Sequence, residues 1–400
     1  MPSEINEDIT LLQRLSPYYM SGYTVVKPGV SLVIEPGTEI IVEHEGCTEG
    51  EIGSCSALIV SKGAFLVAEG EADQPIRFTT ENERIGDWSG IVINGDAPCN
   101  TGVDSEPPTL TGAYCGANSA DSSGVLKYVI VEYAGAVVVE SAQHYPSSFA
   151  FHGVGNRTVV EHVYARESEY NGFTFVGGTV DLRYALSTCI AENSFAWHDG
   201  WQGRGQFWIS QQCESRADSG VYGANISEAD STSILDVVPR SNPVIYNFTL
   251  LGPPNNDTGR EGIELTLGTG AKLVNGIVIN HRQKGFWIND KESCEFIQDG
   301  SISLRNTYFF NNDRDFTDRC GENALFLNDV EGNVIGTASI LVDPFNTENP
   351  NFMLSSEGLA IPADPAAAAL DWFEPADYIG GMGNEDWTID FRGVGETENL

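Results

Sequence analysis

A short phrase of alternating apolar and polar residues recurs along this chain, and no other feature narrows its fold so far. It reads Leu126-Lys-Tyr-Val-Ile-Val131, Val160-Glu-His-Val-Tyr-Ala165, Leu182-Arg-Tyr-Ala-Leu-Ser187, Ile245-Tyr-Asn-Phe-Thr-Leu250, Val274-Asn-Gly-Ile-Val-Ile279 and Leu304-Arg-Asn-Thr-Tyr-Phe309. The first residues lie 34, 22, 63, 29 and 30 apart. That spacing predicts stacked coils of roughly 22 to 30 residues, with one coil or a long insertion inside the widest gap. Turn residues and a second short strand follow each phrase, as in Glu169-Tyr-Asn-Gly-Phe-Thr-Phe-Val-Gly-Gly178 and Arg282-Gln-Lys-Gly-Phe-Trp-Ile-Asn-Asp290. Asn and Gly stand at the corners because a tight corner needs positive φ.

Period-2 runs of four to six residues dominate, and helical periodicity is confined to Asp364 to Phe373, so the chain is all-β. A sandwich would show hairpins closed by two-residue Asn-Gly or Asp-Gly loops, and a propeller would repeat more evenly. The recurring unit here is a strand, a corner, a second strand and an excursion, which is the coil of a right-handed parallel β-helix. The N-terminal stretch agrees: Tyr23 to Val42 carries strands broken at Pro28-Gly29 and Pro36-Gly37, and Ala57 to Gly70 repeats the theme at Lys62-Gly63. Stacked coils leave open ends that need caps. Residues 1–22 are therefore expected to form an N-terminal arm or cap, 23–344 the β-helix, and 345–400 a C-terminal cap or extension.

Several stretches resemble a broad group of uncharacterised secreted bacterial β-helix proteins of marine and Bacteroidota-like origin. They are Leu32-Val-Ile-Glu-Pro-Gly-Thr38, Gly63-Ala-Phe-Leu-Val-Ala-Glu-Gly70, Gly86-Asp-Trp-Ser-Gly-Ile-Val-Ile-Asn-Gly-Asp-Ala-Pro98, Asn193 to Trp208 and Tyr378-Ile-Gly-Gly-Met-Gly-Asn-Glu-Asp-Trp387. The resemblance covers nearly the whole chain and implies a fold more than an activity. Where that group carries more acidic residues, between Glu192 and Gly200, this chain has Ala196 and His198.

Charge excludes two partner classes. With 57 acidic against 21 basic residues and a net charge of −36, the chain repels nucleic acid phosphates and anionic membranes. No apolar run reaches the roughly 18 to 20 residues of a membrane-spanning helix. The N-terminus as given shows no basic and apolar leader, as a trimmed mature chain would.

The eight cysteines fall in neighbouring couples: Cys47 with Cys55, Cys99 with Cys115, Cys189 with Cys213 and Cys294 with Cys320. None forms a C-x-x-C pair, and short loops close at least entropic cost, so four local disulfides in an extracellular protein are expected. Four glycosylation sequons occur, about the number that chance supplies. Asn256, beside Pro253-Pro254, is the most loop-like of the four.

Two side-chain groups qualify as sites. Asp313, Asp315 and Asp318 concentrate oxygen donors beside Cys320 and are a candidate Ca²⁺ shell, although the glycine and terminal Glu of an EF-hand are missing. Trp197, Trp201 and Trp208 form the densest aromatic region. Exposed, they would stack on sugar rings; buried, they would be core. The six histidines show no metal-ligand spacing, and no nucleophile motif occurs, so no catalytic residue is assigned. Two functions fit. The first is a non-enzymatic extracellular or cell-surface rod (an adhesin, matrix component or filament subunit) that stacks on copies of itself with calcium bridging. The second is a polysaccharide-binding or polysaccharide-degrading β-helix.

Overall fold

The computed structural model describes residues 1–43, 55–100, 112–136, 146–213, 218–227, 235–254, 260–328, 330–346, 349–365 and 371–392. The strands stack in parallel into a right-handed β-helix of ten coils. Its first face consists of Glu4–Ile5, Tyr23–Val26, Ala57–Val60, Ile91–Asn94, Ser147–His152, Asn171–Val176, Phe195–His198, Val221–Ala224, Glu261–Thr266 and Lys284–Ile288, which define coils 1 to 10. Register partners Phe151, Phe175, Trp197 and Gly223 advance by 24, 22 and 26 residues, so the shortest coils carry almost no excursion.

The other strands of the helix form one continuous sheet that bends into two faces, and Leu341–Asp343 pairs antiparallel with Asn351–Leu354 as a separate two-stranded sheet. In the first three coils each face has its own strand, such as Phe65–Glu69 and Ile76–Thr80. Both pair with the single long strand Gly124–Glu132 of coil 4. From there the corner is one residue in the left-handed region: Tyr128, His162, Tyr184, Phe207, Asn247, Asn275 and Asn306, all with φ between 48° and 61°. The asparagines suit that conformation, whereas the aromatic residues enter it at a cost, which the stacked coils must offset.

Residues 4–20, within the expected N-terminal arm or cap, supply the strands of coil 1, paired to coil 2 through Glu4 with Val25, Ile9 with Leu32 and Tyr18 with Ile40. The 63-residue gap holds both a coil and an insertion. Leu182 pairs with Gly205 and Gly205 with Ile245, so Arg204–Gln211 is a full coil strand that the recurring phrase passes over. The phrase fails there because a Cβ on Gly205 would lie 2.6 Å from the Trp208 ring. In the next coil Ile245 pairs with Leu273, one residue before the expected Val274.

The interior is a column of stacked rings and aliphatics. Phe149, Phe173 and Phe195 stack at 5.0 and 5.2 Å, and Phe195 stacks on Trp208 at 4.3 Å. Outside, an alternating-charge ladder crosses the second face, with Glu69 and Glu161 on either side of Lys127, and Arg183 beside Glu161. Each such exposed pair contributes little alone, but register repeats it coil after coil.

Candidate functional site

Three parts of the outer surface are already occupied by the chain itself. On the third face, Ile130, Leu186, Ile209, Ile277 and Ile279 point away from the helix interior and are buried against Ile340, Phe352, Leu354, Ile379, Met382 and Phe391. The segment Tyr378 to Trp387 makes this possible: Gly380 N–H donates to the Asn275 carbonyl at 2.8 Å and Gly381 N–H to Thr249 Oγ1 at 2.9 Å. A Cβ on Gly381 would meet the Trp208 carbonyl oxygen at 2.5 Å, so only glycine lies this flat on the strands.

The bent corner is covered by Trp387 of this segment together with Trp372 and Glu374, which precede it. His162 is stacked between Tyr128 at 4.5 Å and Tyr184 at 4.3 Å, and Phe207 continues the row at 4.8 Å. Trp387 meets His162 and Tyr184 edge-on, and Trp372 sits against the guanidiniums of Arg183 and Arg204 at 5.0 and 4.9 Å. Glu374 accepts from Arg183 at 2.7 Å and from the Tyr184 hydroxyl at 2.6 Å. Burial lowers His162 to about 4, so it is neutral at physiological pH.

The middle of the first face is covered from its other side. Cys99–Cys115 ties a loop there, with Tyr114 against His152 at 5.0 Å and Cys115 packed on Val176. The outward residues of these coils, Ala150, Thr174, Ala196 and His198, are buried, and His198 pairs with Asp199 at 3.0 Å.

Coils 8 to 10 of the first face differ. Tyr222, Glu264 and Trp287 are register partners on three successive strands, about 4.8 Å apart from strand to strand. Alternation decides their direction. Ile263, Leu265, Phe286 and Ile288 belong to the core, so Glu264 and Trp287 face outward. Tyr222 and Trp287 are half-buried, and Glu264 between them is 8% exposed. Asn289 donates to Glu264 Oε1 at 2.6 Å. Three residues earlier on the same strand, Glu261 pairs with Lys284 at 3.0 Å, and Lys284 places its ammonium 3.1 Å from the centroid of the Trp287 ring. At the adjoining corner Asp218 pairs with Arg260 at 3.2 Å, and its N–H donates to the Glu192 carbonyl.

The electrostatics follow from crowding acids on a partly desolvated surface. Burial, reinforced by the charge of Glu261 and only partly offset by Asn289, lifts Glu264 to about 7. Burial and the neighbouring Asp218 carboxylate raise Glu192, and burial raises Glu261 despite Lys284. The Tyr222 hydroxyl is pushed well above its usual range, first by burial and then by Glu264. The result is an aromatic shelf with one carboxyl poised to bind or release a proton near neutrality.

Sequence reasoning did not find this group. Its signal was present in Lys284-Gly-Phe-Trp-Ile288, where Phe286 and Ile288 turn inward and leave Trp287 outward. Only the register between coils brings Tyr222 and Glu264 beside it.

The expected sugar platform is corrected. Trp197, Trp201 and Trp208 are each fully buried, and an indole without an exposed face cannot stack on a ligand. Their N–H groups are satisfied internally, by Thr269 Oγ1 and the carbonyls of Val180 and Leu182. Glycines make room for them: a Cβ on Gly223 would lie 2.4 Å from the Trp197 ring.

The calcium shell is likewise not assembled. Among the described residues no three His, Cys, Asp or Glu side chains gather as a metal-binding group. Asp315 instead accepts from Asn312 at 2.9 Å, and Asp318 accepts from the Asn323 N–H at 3.2 Å. The local cysteine couples are borne out for Cys99–Cys115, Cys189–Cys213 and Cys294–Cys320, with Cα separations of 5.7, 4.7 and 5.2 Å. Cys47, the expected partner of Cys55, lies outside the described residues, as does the sequon residue Asn256. Two other sequon residues, Asn225 and Asn247, are fully buried and hydrogen-bonded. Among the described residues no helix is long and apolar enough to cross a membrane.

A family model described as a pectate-lyase-like beta helix domain matches residues 3–339, most of the chain. No curated protein and no solved structure matches it.

Proposed function

Because the chain belongs to the pectate-lyase-like β-helix family, we propose that it is an extracellular polysaccharide-binding protein whose binding surface is coils 8 to 10 of the first face. The observation that carries this reading is the row Tyr222, Glu264, Trp287, flanked by Asn289 and Lys284. The partly exposed rings offer stacking surface for the C–H face of a pyranose, and the carboxyl and amide supply the hydrogen bonds that fix its hydroxyls. Coil repetition suits a polymer, because adjacent strands present equivalent positions at a fixed spacing. Disulfides fit an oxidising compartment.

Binding is favoured over eliminative cleavage of an acidic glycan. Such chemistry wants a basic group free to take a proton and a positive groove. Here Lys284 and Arg260 are both engaged in ion pairs. The rod-like architecture also serves the surface-display role anticipated from sequence, with the ten coils acting as the stalk of an adhesive surface.

The test is calorimetric titration of the intact protein with a panel of soluble polysaccharides, neutral, amine-bearing and uronate-bearing. The reading expects binding to at least one of them and a loss of about tenfold or more in affinity for Trp287→Ala. Unchanged affinity in Trp287→Ala would remove the proposed surface.

A further inference from the structure

We infer that the polysaccharide received on this surface carries free amines, and that Glu264 is the acceptor of an ammonium group held against the Tyr222–Trp287 shelf. This rests on the reading above and names its ligand class. Two acids of this surface already have cationic partners. Glu261 has Lys284 and Asp218 has Arg260. Glu264, on the same strand as Glu261, has the neutral Asn289 amide and, among the described residues, no ion-pair partner.

A second observation shows what the surface holds. The protein already places one ammonium here: Lys284 Nζ lies 3.1 Å from the centre of the Trp287 ring and 3.0 Å from Glu261 Oε1. An indole face and a glutamate together make the standard receptor for an organic cation. Glu264 is the register neighbour of that same Trp287 and of Tyr222, so the coil repeat sets a second glutamate beside the same rings without a second lysine. A hexosamine supplies both missing pieces, an apolar ring face for the aromatic residues and an ammonium for the carboxylate.

Charge selects in the same direction. The groups facing Glu264 are Glu261 and Asp218, with Lys284 acting weakly in the opposite sense, and Tyr222 beside them. A uronate entering this surface would meet the carboxylates of Asp218, Glu261 and Glu264 on two successive coils, while a polyamine would relieve their repulsion. The chain's net charge of −36 attracts the second polymer and repels the first at long range.

The experiment compares three probes of equal length on the full chain by calorimetry: a β-1,4-linked glucosamine oligomer, its fully N-acetylated counterpart and an oligogalacturonate. The inference expects the amine form to bind about tenfold tighter than the acetylated form at low salt, and that margin to shrink as salt is added. Glu264→Gln keeps the shape and the Asn289 hydrogen bond, so it should lower the affinity for the amine oligomer to about that of the acetylated one and abolish the preference. An equal or tighter acetylated oligomer, a tighter oligogalacturonate, or a Glu264→Gln protein that keeps the preference would overturn the inference and leave polysaccharide binding standing. If the wild-type chain bound none of these, nor any member of the wider panel, the functional reading would fall together with the inference.

Discussion

Two aromatic rows run across the coils of this molecule, one closed and one open. At the bent corner of coils 4 to 7, Tyr128, His162, Tyr184 and Phe207 stack under Trp387, and the neighbouring Arg183 and Arg204 hold Trp372. On the first face of coils 8 to 10, Tyr222, Glu264 and Trp287 take equivalent places from strand to strand, with their rings partly exposed. The first row is made of uncharged rings, and its histidine is held neutral. The second sets an acid between its rings. In a solenoid, lateral repetition is the same everywhere, so what covers a row decides whether it is core or binding surface. Among the described residues, the C-terminal segment covers the first row and not the second.

The contrast with the interior can be broken by the largest expected effect. Trp208→Ala removes a fully buried ring stacked on Phe195 and should lose about 3 to 5 kcal/mol of stability in denaturant unfolding. A loss under about 1 kcal/mol would mean that the three central tryptophans are not core.

Next come the pH slopes, which should have opposite signs in the two rows. Glu264 titrates at about 7 when folded, against 4.5 when unfolded. Its contribution is therefore fully present below pH 4.5 and lost as pH rises through 7. Glu264→Gln should thus stabilise the protein at pH 8 by roughly 2 to 3 kcal/mol and have little effect at pH 4. His162 is lowered to about 4 from 6.5. Its contribution is present above pH 6.5 and lost as pH falls through 4, by roughly 2 to 3 kcal/mol. His162→Asn, which tolerates the left-handed backbone at φ 52°, should flatten that acid limb. Unfolding curves collected from pH 4 to 8 for the three proteins separate the two terms. Equal slopes in wild type and variants would remove the electrostatic distinction between the rows.

The smallest effect sharpens the comparison most. Trp287→Ala should lower stability by less than Trp208→Ala does, because Trp287 lies on the outer face and is only partly buried, whereas Trp208 is fully buried. Stability and binding are thus expected to part company at Trp287 and to travel together at Trp208.

Much of the architecture was legible in the chain because a β-helix writes its coil length into the sequence. Alternation found the strands, and Pro28-Gly29 and Pro36-Gly37 marked corners where both glycines adopt positive φ. Local cysteine couples followed from loop entropy, as Cys189–Cys213 shows. What was not legible depends on contacts far apart in sequence. Asn247, which reads as a sequon, donates to the Tyr378 carbonyl 131 residues away. The coil at Gly205 was hidden because a tryptophan ring fills the space of the missing side chain. Trp201 and Trp287 are alike in composition and opposite in fate, since local pattern shows inward or outward but not what lies on top. The acidic background hid the site as well: with 57 acidic residues, Glu264 stands out only when its neighbours in coils 8 and 10 are known.

Hydrogen exchange with and without a saturating amine-bearing oligosaccharide distinguishes the open row from the covered one. The account predicts new protection confined to peptides spanning Val221–Ala224, Glu261–Thr266 and Lys284–Ile288, with exchange in residues 371–391 unchanged. Protection appearing instead at Tyr128, His162 and Tyr184, with faster exchange in residues 371–391, would contradict it and make the covered row the binding surface.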